Sequence, residues 1–349
     1  MKQPEELIAD KHPSPLLEFD HLRITDTTDI PPPIPIVTIN NEIICTECNM
    51  TTISGSSKSG KSAFTGIILA GAISTTGNID GLQYLEVKPN TEGKAVIHFD
   101  TEQARHKHQS NLKSILKRAY VNNCPDYFLS YNIRVLDIAT YQDTTTKICE
   151  TANNTFKGVH LIVIDGIADF ISDVNDTVPA NAIVKFFEDL AVKFNCPLIT
   201  IVHTNPGSDK ERGHLGSQCQ RKSESVLSIK NENDMSFMEP KLLRMAGKGD
   251  IPLLQFGYSK DKGYHVDMGI KPAGDEAKGE KRKLELQALA TKVFGGQVSL
   301  KYNDAWNNIG ERKGCGTSTS KKALADMVEL GLVYQDASGY YRLGQSDPF

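Results

Sequence analysis

Short apolar runs alternate with longer stretches of helical periodicity through most of this chain. Residues 51–54, 95–100, 133–138, 160–165 and 197–203 are compact runs rich in β-branched residues and read as strands. Residues 61–73, 103–121, 144–155 and 181–194 read as the helices between them. Within the strands the apolar character is continuous: Ile162, Val163 and Ile164 follow one another, as do Ile199, Thr200, Ile201 and Val202. A continuous rather than alternating run marks a strand covered on both faces, the condition of a parallel sheet with helices on either side. The pattern therefore predicts an α/β architecture with a mostly parallel sheet. Beyond His203 a polar loop leads to strand-like segments at 225–230, 241–245 and 253–258, expected to extend one edge as antiparallel strands.

Other regions break this rhythm. Residues 1–33 are polar and close on Pro31, Pro32 and Pro33, which predicts an extended N-terminal arm. The stretch 271–281 is rich in charge, Gly and Pro and has no apolar periodicity. It reads as a linker between a large domain at 34–270 and a small one at 282–349. The small domain has helical patterns at 283–294, 302–312 and 318–330. A hairpin over 332–343 then turns at Ala337, Ser338 and Gly339. Three helices closed by a hairpin are the outline of a winged helix.

The composition, 39% hydrophobic and 23% charged over 349 residues, is that of an ordinary soluble protein. No segment reads as a secretion signal or a membrane span, so the expected location is cytoplasmic, with no membrane partner. The seven cysteines are odd in number and scattered, which argues for reduced thiols. Cys45 and Cys48 form a CxxC with no second pair and read as incidental rather than as a metal or redox site. A net charge of −4 gives no global basic field, so any contact with nucleic acid has to be local.

The chemistry is concentrated first at Gly55, Ser56, Ser57, Lys58, Ser59, Gly60, Lys61, Ser62 and Ala63, a GxxxxGK[ST] loop between a strand and a helix. Glycines at the two turn points let backbone N–H groups face phosphates, Lys61 reaches the terminal phosphate oxygens, and the Ser62 hydroxyl serves Mg²⁺. The ligands implied are ATP and Mg²⁺. The strand Leu161–Asp165 ends in a carboxylate, the expected partner of Ser62 at the metal. In AAA+ and ABC-type ATPases a catalytic Glu follows that Asp, whereas here the next residue is Gly166. A base is supplied instead by the strand 95–100, which delivers Glu102 to its C-terminal edge, where open α/β sheets place their sites.

At these residues the chain resembles the RecA-like P-loop ATPases, in which the strand after the P-loop helix ends in a similar Asp100-Thr101-Glu102 and the Glu is the base. That resemblance covers roughly residues 34–266, and within the RecA-like ATPases the chain is similar to RepA-type hexameric helicases and related ATPases of mobile elements. That resemblance implies that His203, closing its strand, is a sensor linking the γ-phosphate to a DNA-facing loop. It also implies that Arg212, of Lys210-Glu211-Arg212, is a finger reaching a neighbouring subunit's nucleotide in a homo-oligomer, with a hexamer favoured. Arg221 and Lys222 fall in the region where RecA-like proteins contact single-stranded DNA. Many replicative helicases carry Gln at the sensor position, so a processive replicative helicase does not follow.

In the small domain Lys321 and Lys322 open the third helix, the element a winged helix places in the major groove of duplex DNA, while Tyr340, Tyr341 and Arg342 suit a wing contact. The sequence thus points to a Mg²⁺-dependent ATPase acting on DNA, helicase-like or translocating, in replication or transfer of a mobile element. An ATP-switched DNA-binding regulator that does not translocate is the open alternative. The absence of an LSGGQ-like segment, and a Gly166-Ile167-Ala168 that does not complete DxxG, argue against transporter ATPases and GTPases.

Overall fold

The computed structural model describes residues 17–205, 208, 210–271, 274–296 and 298–344, the side chains of 17, 18, 20 and 274–281 excepted. The chain divides into two units, Met1–Ile34 and Pro35–Phe349. The described part of the first is a 3-10 turn, Leu17–Leu22, followed by irregular chain with a turn closed by the Thr28 N–H bond to the Thr25 carbonyl; Leu22, Ile24 and Ile30 are exposed. The rest of the expected arm, residues 1–16, lies outside the described residues.

The second unit runs β1 (Pro35–Ile39), β2 (Glu42–Thr46), β3 (Met50–Gly55), α1 (Lys61–Ile73), β4 (Leu85–Val87), β5 (Ala95–Asp100), α2 (Arg105–Arg118), β6 (Phe128–Asn132), α3 (Tyr141–Phe156), β7 (Val159–Asp165), α4 (Thr177–Lys193), β8 (Leu198–His203), α5 (Gly213–Lys222), β9 (Ser225–Glu232), β10 (Met235–Leu243), β11 (Leu253–Ser259) and β12 (Tyr264–Lys271). One sheet of nine strands has the order β12-β11-β10-β9-β3-β8-β7-β5-β6. Its strands from β9 to β6 are parallel, and β10, β11 and β12 extend one edge antiparallel. A small sheet, β2-β1-β4, packs into the core on the α1 side.

Both faces of the large sheet are covered, which is why its strands are apolar at consecutive positions. Leu161 and Val163 of β7 join the cluster of Phe64 and Ile67 from α1. Ile162 and Ile164 point the other way, into the cluster of Cys149, Ile183 and Phe187 from α3 and α4. The register aligns Gly55 with His203 and Asp100 with Asp165, so the ends of β3, β8, β5 and β7 meet along one edge.

Three expectations need correction. The apolar run 133–138 is not a strand: the edge strand is β6, just before it, and of that run Ile133 is buried whereas Val135 is 75% exposed. Polar residues of β6 make hydrogen bonds to α2 and the segment before it, so the strand lacks the apolar signal. The strand at 225–230 is parallel to β3, because α5 provides a crossover; the antiparallel extension begins only at β10. The stretch read as a linker ahead of a helix at 283–294 is itself helical from Gly274, so that helix starts earlier than expected, consistent with the helix-forming Glu276, Ala277, Lys278 and Glu280.

The C-terminal region comprises α6 (Gly274–Phe294), α7 (Tyr302–Lys313), α8 (Thr317–Glu329) and a hairpin of β13 (Val333–Gln335) with β14 (Tyr341–Leu343). Leu300 bridges to Tyr341 beside the hairpin. Leu286, Phe294, Ile309 and Met327 form its own core. Among the described residues no helix is long and apolar enough to cross a membrane.

Candidate active site

The loop from β3 to α1 is shaped by its glycines. A Cβ on Gly55 would stand 2.4 Å from the Ile229 carbonyl oxygen. Gly60 has φ +103°, and a Cβ there would stand 2.5 Å from Ser236 Oγ. Both positions therefore admit only hydrogen, and Gly60 needs a left-handed backbone as well. Gly60 caps α1: its carbonyl accepts the N–H groups of Ala63 and Phe64, each at 3.0 Å, while those of Lys61 and Ser62 have no acceptor within the helix and carry its positive end. Ser59 Oγ is buried without a hydrogen-bond partner. A cradle of small residues, free N–H groups and an unpaired hydroxyl fits the phosphates of a nucleotide.

Lys61 Nζ donates to the carbonyl oxygens of Gly55 at 3.0 Å and Ser56 at 2.7 Å, and lies 3.3 Å from His203 Nδ1. Burial draws its pKa below the ordinary lysine value, opposed by Glu102 and Asp165. Because the ammonium only donates, Nδ1 of His203 accepts, and its Nε2–H donates to Glu102 Oε1 at 2.8 Å. That bond, against the effect of burial, holds the Glu102 carboxyl below the usual range, so it is ionised and ready to accept a proton. Ser62 Oγ donates to Asp165 Oδ2 at 3.1 Å. Burial, with Asp100 and Glu102 nearby, pushes the Asp165 carboxyl up to about 7. A buried carboxylate crowded by others suits a divalent cation. No cluster of three or more His, Cys, Asp or Glu suited to a metal occurs among the described residues.

The AAA domain family model matches residues 17–209, more than half of the chain and the whole set of Lys61, Ser62, Glu102, Asp165 and His203. This chain belongs to that family of RecA-like P-loop ATPases. No curated protein matches it.

The ATPase departs from the Asp-Glu arrangement at Asp165 for a steric reason. Gly166 has φ +101°, and a Cβ there would lie 2.1 Å from Thr101 Oγ1 and 3.0 Å from Glu102 Cγ. The space a following Glu would need is taken by the neighbouring strand that itself supplies Glu102. One cavity of about 590 Å³ takes in Lys61, Ser62, Glu102, Asp165 and His203 and runs on between α2 and the β11–β12 hairpin, where Lys107, Asn111, Arg118, Tyr258 and His265 line it. These residues were not legible as a site, because they come from distant elements with no shared motif.

The structure brings the loop of Gly55 to Ala63, with Lys61 and Ser62, together with Glu102, Asp165 and His203, and leaves Arg221, Lys222, Lys321 and Lys322 elsewhere. Arg212 is exposed, and its N–H donates to the His203 carbonyl at 2.9 Å, so the end of β8 and the start of α5 are tied. Arg221 and Lys222 were expected in a loop; they form the last turn of α5. Leu215 and Cys219 bury that helix in the core beside α4. Glu224, just beyond, bonds Met50 at the start of β3, so Arg221 and Lys222 sit at the sheet end opposite Gly55. Lys222 pairs with Glu188 at 3.4 Å. Lys321 lies over the Trp306 ring at 5.0 Å, and Lys322 lines a groove with Lys292, Arg312 and Lys313.

Proposed function

We propose that this ATPase hydrolyses ATP with Glu102 as general base and acts on DNA as a helicase-like or translocating motor of a mobile element. The observation that carries the reading is the chain Lys61–His203–Glu102 together with the His203 carbonyl bond to Arg212. One residue thus touches the phosphate-binding lysine, the base and the segment leading into α5.

ATP would lie with its phosphates over Gly55 to Ala63 and its nucleoside in the cavity between α2 and the β11–β12 hairpin. Ser62 and Asp165 would hold Mg²⁺, which when bound neutralises charge on the phosphate oxygens. Glu102 orients a water and takes its proton as the water oxygen bonds the γ-phosphorus and the bond to the ADP oxygen breaks. Lys61 stabilises the departing charge. Loss of the γ-phosphate alters what Lys61 attracts, and His203 passes the change to residues 204–212. Arg212, exposed on that segment, would act on the nucleotide of a neighbouring subunit in a ring.

The three C-terminal helices, the hairpin and the Leu300 bridge have winged-helix order, and Lys321 and Lys322 on α8 with the basic groove beside them suit duplex phosphates. The regulator reading has its own support: Arg221 and Lys222 lie a strand's length from the nucleotide site, with Lys222 paired to Glu188, an arrangement that does not favour direct coupling to a DNA strand. Hydrolysis by wild type and Glu102→Gln, measured with and without single- and double-stranded DNA, separates the two. Stimulation by single strands, lost in the variant, supports the motor. A slow rate indifferent to DNA, with duplex binding intact, supports the switch.

A further inference from the structure

Next to Glu102 lies a chain of polar side chains that do not line the cavity and that the reaction as described does not use. His98 and Asp100 sit two residues apart on β5, His108 is on α2, and Ser130 on β6 is the direct cross-strand partner of His98. His108 Nδ1 is 2.8 Å from Asp100 Oδ2, Ser130 Oγ is 2.9 Å from His108 Nε2, and His98 Nδ1 is 3.0 Å from Ser130 Oγ. His98, Asp100 and His108 are all buried.

The donor at the Asp100 end is fixed: a carboxylate only accepts, so His108 donates from Nδ1. His108 Nε2 and Ser130 Oγ share the next hydrogen bond, and Ser130 Oγ and His98 Nδ1 the one after it. Burial, and His108 after it, draws His98 down to about 4, so this ring is neutral. The spacing of Ser130, His108 and Asp100 resembles that of a nucleophilic triad. Ser130 is already engaged by two imidazoles, however, and is not among the residues lining the nucleotide cavity. What the chain does deliver is at its far end. Asp100 Oδ1 accepts the backbone N–H groups of Glu102 at 3.0 Å and Gln103 at 2.8 Å.

We infer that His108 is a positioning residue for hydrolysis: by holding the Asp100 carboxylate it fixes the backbone from which Glu102 reaches the attacking water, without touching the nucleotide. The inference rests on Glu102 being the base. A bond to Asp100 that is lost lets the 101–104 segment shift, and misplacement of a catalytic group by about 1 Å lowers turnover by roughly 100-fold while ground-state binding survives.

Two near-isosteric replacements isolate the link in the full-length protein. In His108→Asn the amide nitrogen takes the place of Nδ1 and keeps the bond to Asp100. In His108→Gln it takes the place of Nε2 and reaches Ser130 alone. Expected for His108→Gln is a fall in kcat of at least about tenfold, with the Kd of a fluorescent ATP analogue within about twofold of wild type. His108→Asn and Ser130→Ala should keep kcat within about threefold. Equal losses in the Asn and Gln variants, an unchanged kcat in the Gln variant, or a loss of nucleotide affinity in step with kcat overturns the inference. Glu102→Gln is assayed alongside: full activity there sinks the assignment of the base itself, whatever His108 does.

Discussion

Replacing His203 by Ala removes the group that joins Glu102 to Lys61. Two contacts are lost, 2.8 Å to Glu102 Oε1 and 3.3 Å to Lys61 Nζ. A hydrogen bond to a charged partner contributes about 1.5–3 kcal/mol. The side chains of His203 and Glu102 are 31% and 28% exposed, so water replaces part of the lost donation and the low end applies. About 1.5 kcal/mol of lost orientation corresponds to roughly a tenfold fall in kcat. The pH profile moves as well. The His203 bond is the largest influence holding the Glu102 carboxyl low, and burial acts the other way. Without His203 the carboxyl titrates at higher pH, so the acid limb of kcat shifts upward. His203→Gln, whose amide nitrogen occupies the place of Nε2, should retain the donor and stay within about threefold of wild type. Phosphate release at saturating ATP, followed through the acid limb for all three proteins, is the assay. An Ala variant with wild-type kcat and an unmoved limb would refute the linkage through His203.

Other outcomes follow from the same geometry. Lys61→Ala should abolish the stabilisation by nucleotide in a thermal-shift experiment, where wild type at a ligand concentration of 100 Kd gains about 2.7 kcal/mol. Gly166→Ala forces a side chain into φ +101° and against Thr101 Oγ1, so urea unfolding should show a loss of about 2–4 kcal/mol. Asp165 titrates at about 7 in the fold, above its unfolded value, so its ionisation opposes folding. That penalty is absent below the unfolded pKa, grows as pH rises toward 7 and is complete above it; Asp165→Asn should therefore stabilise the metal-free protein at pH 8 while ending Mg²⁺-dependent hydrolysis. Arg212→Ala should lower hydrolysis without weakening ATP binding, and adding Lys61→Ala subunits should restore part of the rate in mixed oligomers; an Arg212→Ala protein as active as wild type removes the finger assignment.

Local sequence determined the parts of this protein whose chemistry is contiguous. The loop Gly55 to Ala63, the strand ending at Asp165 and the strand delivering Glu102 were legible because strand, loop and helix follow one another in the chain, and buried parallel strands must be apolar at consecutive positions. The bounds of α1 and β5 came from the same periodicity. Tertiary structure decided what depends on distant partners. β6 was misplaced because an edge strand spends its polar residues on hydrogen bonds to α2 and its approach, while the apolar run after it lies largely on the surface. β9 turned out parallel because direction is set by the crossover through α5, which its own residues do not encode. The same crossover carried Arg221 and Lys222 to the end of the sheet opposite the nucleotide loop. The network next to Glu102 joins residues from β5, α2 and β6, with bonded partners as far as 32 positions apart in the chain. Such convergence leaves no spacing to read, because hydrogen bonds are satisfied in space and the chain records only the order in which their donors and acceptors were made.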